Sequence, residues 1–104
     1  MADFNVNLRG VGSVSVIDVK GYLDAHTAPE LENVFNKLLD ERQFRVVVNF
    51  DELKYISSAG LGVFMAYVET MRENHGDIKF SNMKENVYNI FDLLGFPILY
   101  EFFK

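Results

Sequence analysis

Two serines, Ser57 and Ser58, stand at the joint of the stretch Phe50-Asp51-Glu52-Leu53-Lys54-Tyr55-Ile56-Ser57-Ser58-Ala59-Gly60-Leu61-Gly62-Val63-Phe64-Met65. A serine at such a joint can turn its oxygen toward the first free backbone N–H groups of a helix. It can act as a nucleophile when a base and an orienting acid are near, and His26 and Asp24 supply those residue types. It can also accept a phosphoryl group, which adds a charge of about −1.5 to −2. At a helix N-terminus that charge meets the positive end of the helix dipole and unpaired N–H groups. The fold could then carry the modification, while a partner docked on the same surface would meet new bulk and repulsion. Gly60 and Gly62 each cost roughly 1 kcal/mol of helix propensity relative to alanine. They would also let another molecule approach the backbone closely.

The catalytic and metal chemistries have weaker support. The serines do not lie in a Gly-x-Ser-x-Gly elbow, and His26 falls beside a helix start, where solvent reaches it. His26 and His75 are far apart and lack ligand spacing. Asp40-Glu41 and Asp51-Glu52 are adjacent pairs, whose side chains point in different directions. The chain has 0 cysteines, which excludes thiolate catalysis and cysteine-ligated metal. Neither a Gly-x-x-x-x-Gly-Lys loop nor a Gly-x-Gly-x-x-Gly loop is present. The expectation is a protein that is not an enzyme, with no catalytic residues, no metal and no cofactor of its own.

The elements that must position the serines follow from periodicity. Phe4, Val6 and Leu8 alternate with polar residues, a strand period. Gly10-Val11-Gly12-Ser13 reads as a turn, and Val14, Val16, Ile17 and Val19 as a second strand paired with the first and ended by Gly21. Thr27-Ala28-Pro29-Glu30 reads as a capping box. The helix it opens buries Leu31, Val34, Phe35, Leu38 and Leu39. Val46 to Phe50 is a third strand, apolar enough to be covered on both faces. A helix separates it from the second strand, so the two should be parallel, which would bring Asp24, His26 and Ser58 to one end of the sheet. A second helix runs from about Ala59 to Asn74, with Ser58 as its capping serine and Gly76 as its C′ glycine. Ile78 to Phe80 is a fourth strand. A third helix with Val87, Ile90, Phe91 and Leu94 inward follows, and then a strand from Pro97 to Phe102. The expected order is ββαβαβαβ in one domain, residues 1–104.

Composition sets limits on partners. With 104 residues, 49% of them apolar and ten phenylalanines, the chain can bury a core without disulfides. The lack of cysteine fits a cytoplasmic protein. No leader is visible and no apolar run approaches the ~20 residues of a membrane span. The net charge is −5 with scattered basic residues, so no nucleic-acid face is expected, and a basic protein surface is the better complement.

Four segments resemble the STAS-domain anti-sigma factor antagonists. Ser57-Ser58-Ala59-Gly60-Leu61-Gly62-Val63 is similar to their Asp-Ser-Ser-Gly-Leu-Gly signature. Gly21-Tyr22-Leu23-Asp24-Ala25-His26-Thr27-Ala28 is similar to their Gly-Glu-Leu-Asp-x-x-Thr-Ala segment. Val47 to Leu53 matches their strand-then-Asp-Leu entry, and Ile90 to Phe96 their Leu-Phe-x-x-x-Gly-Leu helix end. The order and spacing agree from about Val14 to Gly95.

The resemblance implies an α/β fold, a STAS-like mixed β-sheet with helices packed against it. It implies a phosphoacceptor at Ser58, and a partner surface that includes Asp24, Thr27, Ser57, Gly60, Leu61 and Gly62. The implied partners are an anti-sigma factor that is also a serine kinase and supplies the ATP, and a phosphatase that restores the unmodified form. No direct contact with nucleic acid or membrane is implied. Three departures stand out: Ser57 replaces the family's Asp before the acceptor, leaving a competing hydroxyl, Ala59 stands where the family has its next Ser, and Tyr22 replaces a common Glu. A constitutive STAS subunit of a regulatory or transport complex, or a partner switch whose target is not a sigma factor, remains the alternative.

Overall fold

The computed structural model describes residues 3–83, together with Glu85 and Asn89. The expected third helix and last strand, and the family-like segment Ile90 to Phe96, lie outside the described residues apart from those two positions. Six elements follow in the order β1 (Phe4–Val11), β2 (Val14–Leu23), α1 (Ala28–Asp40), β3 (Arg45–Ile56), α2 (Ser58–Glu73) and β4 (Asp77–Ser81). The sheet order is β1-β2-β3-β4. β1 and β2 are an antiparallel hairpin, closed by a two-residue turn between Val11 and Val14 in which Gly12 takes φ 61. β2–β3 and β3–β4 are parallel, the expected result of a helical connection on each side of β3.

The core lies between the sheet and the two helices. Ile17, Val19 and Leu23 of β2, Val46, Val48, Phe50, Leu53 and Ile56 of β3, and Ile78 and Phe80 of β4 meet Leu31, Phe35 and Leu38 of α1 and Leu61, Phe64, Val68 and Met71 of α2. Phe64 stands edge-on to Phe35, Phe50 and Phe80, with ring centroids 6.0, 5.5 and 5.4 Å away. Such edge-to-face pairs add about 0.5–1.5 kcal/mol each beyond burial. They fix where α2, and with it the serine joint, sits on the sheet. On the other face Val47 and Asn49 are half-buried, so β3 is fully covered on one face and not on both.

β2 and β3 both run further than their apolar cores suggest. β2 continues through Gly21 to Leu23, and β3 through Asp51-Glu52-Leu53-Lys54-Tyr55 to Ile56. The extension depends on two register shifts, between Asp18 and Lys20 and between Gly21 and Tyr22. Each shift breaks the two-residue alternation while leaving the strands paired. Gly21 does not end the strand. Its φ is 91, and a Cβ there would lie 1.9 Å from the Asp3 carbonyl oxygen, so only glycine fits.

The end of α2 also differs from expectation. His75, with φ 65, takes the left-handed position that the sequence pattern assigns to Gly76. The His75 N–H donates to the Arg72 carbonyl and the Gly76 N–H to the Met71 carbonyl, a Schellman closure with a non-glycine residue at C′. Gly76 is needed for space, because a Cβ there would meet the Phe44 carbonyl oxygen at 1.9 Å.

Candidate functional site

The parallel pairing of β2 with β3 sets Leu23 beside Ile56. The chain leaves these two parallel strands at the same end of the sheet. From Leu23 it enters the turn that carries Asp24, His26 and Thr27, and from Ile56 it enters Ser57 and Ser58. The Ser57 N–H donates to the Leu23 carbonyl at 2.9 Å. The expectation that these segments converge is therefore met.

Ser57, not Ser58, is the capping residue. It has extended backbone (φ −93, ψ 170), and its Oγ accepts from the Gly60 N–H at 3.3 Å. Its carbonyl accepts the first helical bond, from the Leu61 N–H at 3.0 Å. Ser58 is the first residue of α2 and is exposed. Among the described residues its hydroxyl makes no hydrogen bond. The Ser58 and Ala59 N–H groups are among those a helix start leaves without an intrahelical partner. No acidic side chain occupies the first turn of α2 itself.

The Asp24–Thr27 turn is closed by its own side chains. Asp24 Oδ1 accepts from the His26 N–H at 2.9 Å and the Thr27 N–H at 3.1 Å. Thr27 Oγ1 accepts from the Asp24 N–H at 3.0 Å and donates to the Tyr22 carbonyl at 2.9 Å. The capping box therefore does not form as expected. Thr27 makes no side-chain cap bond to α1 because its hydroxyl is engaged by Tyr22 and Asp24. Asp24 likewise spends a carboxylate oxygen on backbone N–H groups. His26 is exposed, and no described bond links its ring to Asp24 or Ser58, so the three residues do not form a nucleophile–base–acid relay.

The residues expected at a partner surface divide into two groups. Ser58 and Gly62 are exposed, and Asp24 and Ser57 are half-buried. Thr27 is 4% exposed and Leu61 0%. Leu61 as a surface contact is thus corrected to a core residue, since α2 turns that side chain onto the sheet. Gly60 is also buried, and a Cβ there would crowd Leu23 Cγ at 2.8 Å and Ile56 Cγ1 at 3.1 Å. It lets α2 lie close on the strand ends. Gly62 has nothing within 4 Å of the place its Cβ would take. Sequence reasoning missed one feature, the pair Tyr22 and Tyr55. They are register partners, 42% and 45% exposed, with ring centroids 6.4 Å apart. Two tyrosines each just ahead of a converging segment were the available signal, but the bulges hid their pairing.

Among the described residues no group of histidine, aspartate and glutamate could hold a metal ion. No helix there is long and apolar enough to cross a membrane.

The STAS domain model matches residues 5–104. The chain belongs to the STAS domain family. A similar curated relative is the anti-sigma-B factor antagonist of Staphylococcus epidermidis, 30% identical over 93 residues, which span 88% of this chain and 86% of the relative. Among solved structures, an anti-sigma factor antagonist from Mycobacterium paratuberculosis superposes with TM-score 0.87 at 20% identity, covering 97% of this chain and 86% of that one. The anti-sigma factor antagonist SpoIIAA in its unphosphorylated form gives TM-score 0.81 at 19% identity, covering 94% and 87%. At these identities the structural matches establish the fold: a mixed sheet with helices packed against it. The STAS member described here thus has sequence kinship with antagonists of anti-sigma factors.

Proposed function

We propose that this STAS domain is a partner-switching regulator that binds an anti-sigma factor in its unmodified form and is released when Ser58 is phosphorylated. The anti-sigma factor would itself be the serine kinase and bring the ATP, and a phosphatase would reset the switch. The reading places the protein in the cytoplasm, without catalysis of its own and without direct contact to nucleic acid or membrane. The observation that carries it is the division of labour between the two serines. Ser57 performs the structural task, and the exposed Ser58 hydroxyl is left to chemistry.

The helix start can hold a phosphate. Free N–H groups and the helix dipole favour an anion there, and the change is felt mainly by whatever covers the surface. That surface would be Ser58, Ala59 and Gly62 of α2, with Asp24 and the Tyr22–Tyr55 pair beside them. Thr27, Gly60 and Leu61 would shape it from beneath. Tyrosines are frequent anchors at interfaces.

The test is intact-mass and fragment mass spectrometry of the protein recovered from its own cells, with and without phosphatase treatment. A single removable phosphate on Ser58 is expected. Phosphate on Ser57 would overturn the site. No phosphate under any growth condition would favour a constitutive STAS subunit.

A further inference from the structure

We propose that two copies of the chain associate through the outer edge of β1, joining their sheets about a two-fold axis at Val6. β1 is the first strand of the sheet, and among the described residues nothing pairs with its side away from β2. The phase of the β1–β2 ladder decides which backbone groups that edge offers. The Tyr22 N–H donates to the Asp3 carbonyl at 2.8 Å, one step beyond the Phe4–Gly21 pair. Hydrogen-bonded and non-hydrogen-bonded pairs alternate along an antiparallel ladder. Asp3, Asn5, Asn7 and Arg9 therefore aim their N–H and C=O groups at β2, and Phe4, Val6, Leu8 and Gly10 aim theirs outward.

A second copy is complementary to this edge. With the strands antiparallel about Val6, Val6 faces Val6, Phe4 faces Leu8, Asn5 faces Asn7, and Asp3 faces Arg9. Phe4, Val6 and Leu8 then pair only with one another, so their exposed donors find acceptors, and Gly10 lies beyond the paired stretch. Side chains match by face as well. Phe4, Val6 and Leu8 are half-buried and pack against the core, while Asp3, Asn5, Asn7 and Arg9 are exposed on the other side. Arg9 Nε lies 2.7 Å from Asp18 Oδ2 and is still half-exposed, so it can take a second carboxylate from Asp3 of the other copy. Moving the axis to Asn5 or Asn7 leaves Leu8 or Phe4 without its apolar partner and separates Asp3 from Arg9. The interface is isologous and closes on itself, and it covers an edge that is unpaired among the described residues. One strand per copy is a small contact, so the association is weak and reversible. None of this uses Ser58.

Sedimentation velocity from about 10 μM to about 1 mM, the range of weak association, should show a monomer–dimer equilibrium. Amide hydrogen exchange over the same range supplies the location. The Phe4, Val6 and Leu8 N–H groups should become protected as concentration rises, while those of Asn5, Asn7 and Arg9 are protected throughout. Val6→Pro deletes only an outward donor, which an edge strand tolerates. It should weaken the dimer at least about tenfold, since each dimer loses two backbone bonds, with the circular dichroism spectrum unchanged. A monomer at every concentration would overturn the proposal. So would a dimer in which Phe4, Val6 and Leu8 exchange at the monomer rate. The exchange pattern decides the matter even if Val6→Pro fails to fold.

Discussion

The Ser57 N–H donates to the Leu23 carbonyl over 2.9 Å, and the Ser57 Oγ accepts from the Gly60 N–H over 3.3 Å. One residue thus ties the end of β2 to the start of α2. The neighbouring Ser58 is fixed in place by bonds that are not its own. Its side chain can be changed without disturbing the anchor.

The two serines should therefore separate in experiment. Ser57→Ala removes a cap and should cost about 0.5–2 kcal/mol, while leaving Ser58 available to a kinase. Ser58→Ala should alter stability by less than about 0.5 kcal/mol, as at most exposed positions, and abolish phosphorylation. Urea denaturation and phosphopeptide mapping on both variants give the comparison. Loss of phosphate in Ser57→Ala alone, with Ser58→Ala still modified, would reverse the assignment.

The glycines should behave as opposites. Gly62→Ala meets nothing within 4 Å, so the fold should gain about 0.5–1 kcal/mol from helix propensity. The added methyl group should weaken binding to the kinase partner. Gly60→Ala drives a methyl into Leu23 and Ile56 and should lose about 1–3 kcal/mol by overpacking. A Gly62→Ala protein that is more stable and binds as well as the parent would show that α2 is not covered at that point.

Leu61 lies in the core, so its truncation is a test of the platform. Leu61→Ala should cost about 2–5 kcal/mol, read as a fall in melting temperature. Any loss of partner affinity should disappear when binding is measured at a temperature where the variant is fully folded. An unchanged melting temperature would contradict the burial.

Acid should weaken the fold through two carboxylates. The Arg9 guanidinium beside Asp18 holds its carboxyl below the ordinary value despite partial burial, with help from the Asn49 amide. For Asp77, burial pushes upward, but Arg72 and the Ile78 N–H outweigh it. Both native-state values are depressed, so the stabilisation is fully present above the unfolded carboxylate value of about 3.9. It is lost as pH falls through the lower native values. Arg9→Gln should lower the urea midpoint slightly at neutral pH, because solvent screens an exposed pair and leaves it a small contribution. That difference should shrink as pH falls below the unfolded carboxylate value of about 3.9 and on through the lower native value of Asp18. A difference independent of pH would show that the pair does not act through its charge.

Much of this arrangement was legible in the residues. Alternation in Phe4, Val6 and Leu8 and the helical spacing of Leu31, Phe35 and Leu38 gave the elements. The helical connection between β2 and β3 gave the parallel pairing that joins Asp24 to the serines. The failures have specific causes. The polar stretch Asp51 to Tyr55 hid a strand, because register shifts move side chains out of a two-residue period. Thr27-Ala28-Pro29-Glu30 has the composition of a capping box, but composition cannot show that the Tyr22 carbonyl competes for the hydroxyl. Ser57 and Ser58 are equally good caps by type, and the choice between them was made by the Leu23 carbonyl, distant in sequence.

The close fit of Gly21 under the Asp3 carbonyl has a practical consequence for anyone labelling this protein. Because the Asp3 carbonyl is bonded to the Tyr22 N–H, any tag, fluorophore or linker placed ahead of Asp3 leaves the fold next to Tyr22, on the rim of the proposed partner surface. An affinity handle there would compete with the interaction it is meant to report. Pull-down and surface-immobilisation experiments should attach the protein elsewhere, for instance through the exposed Lys37 on α1.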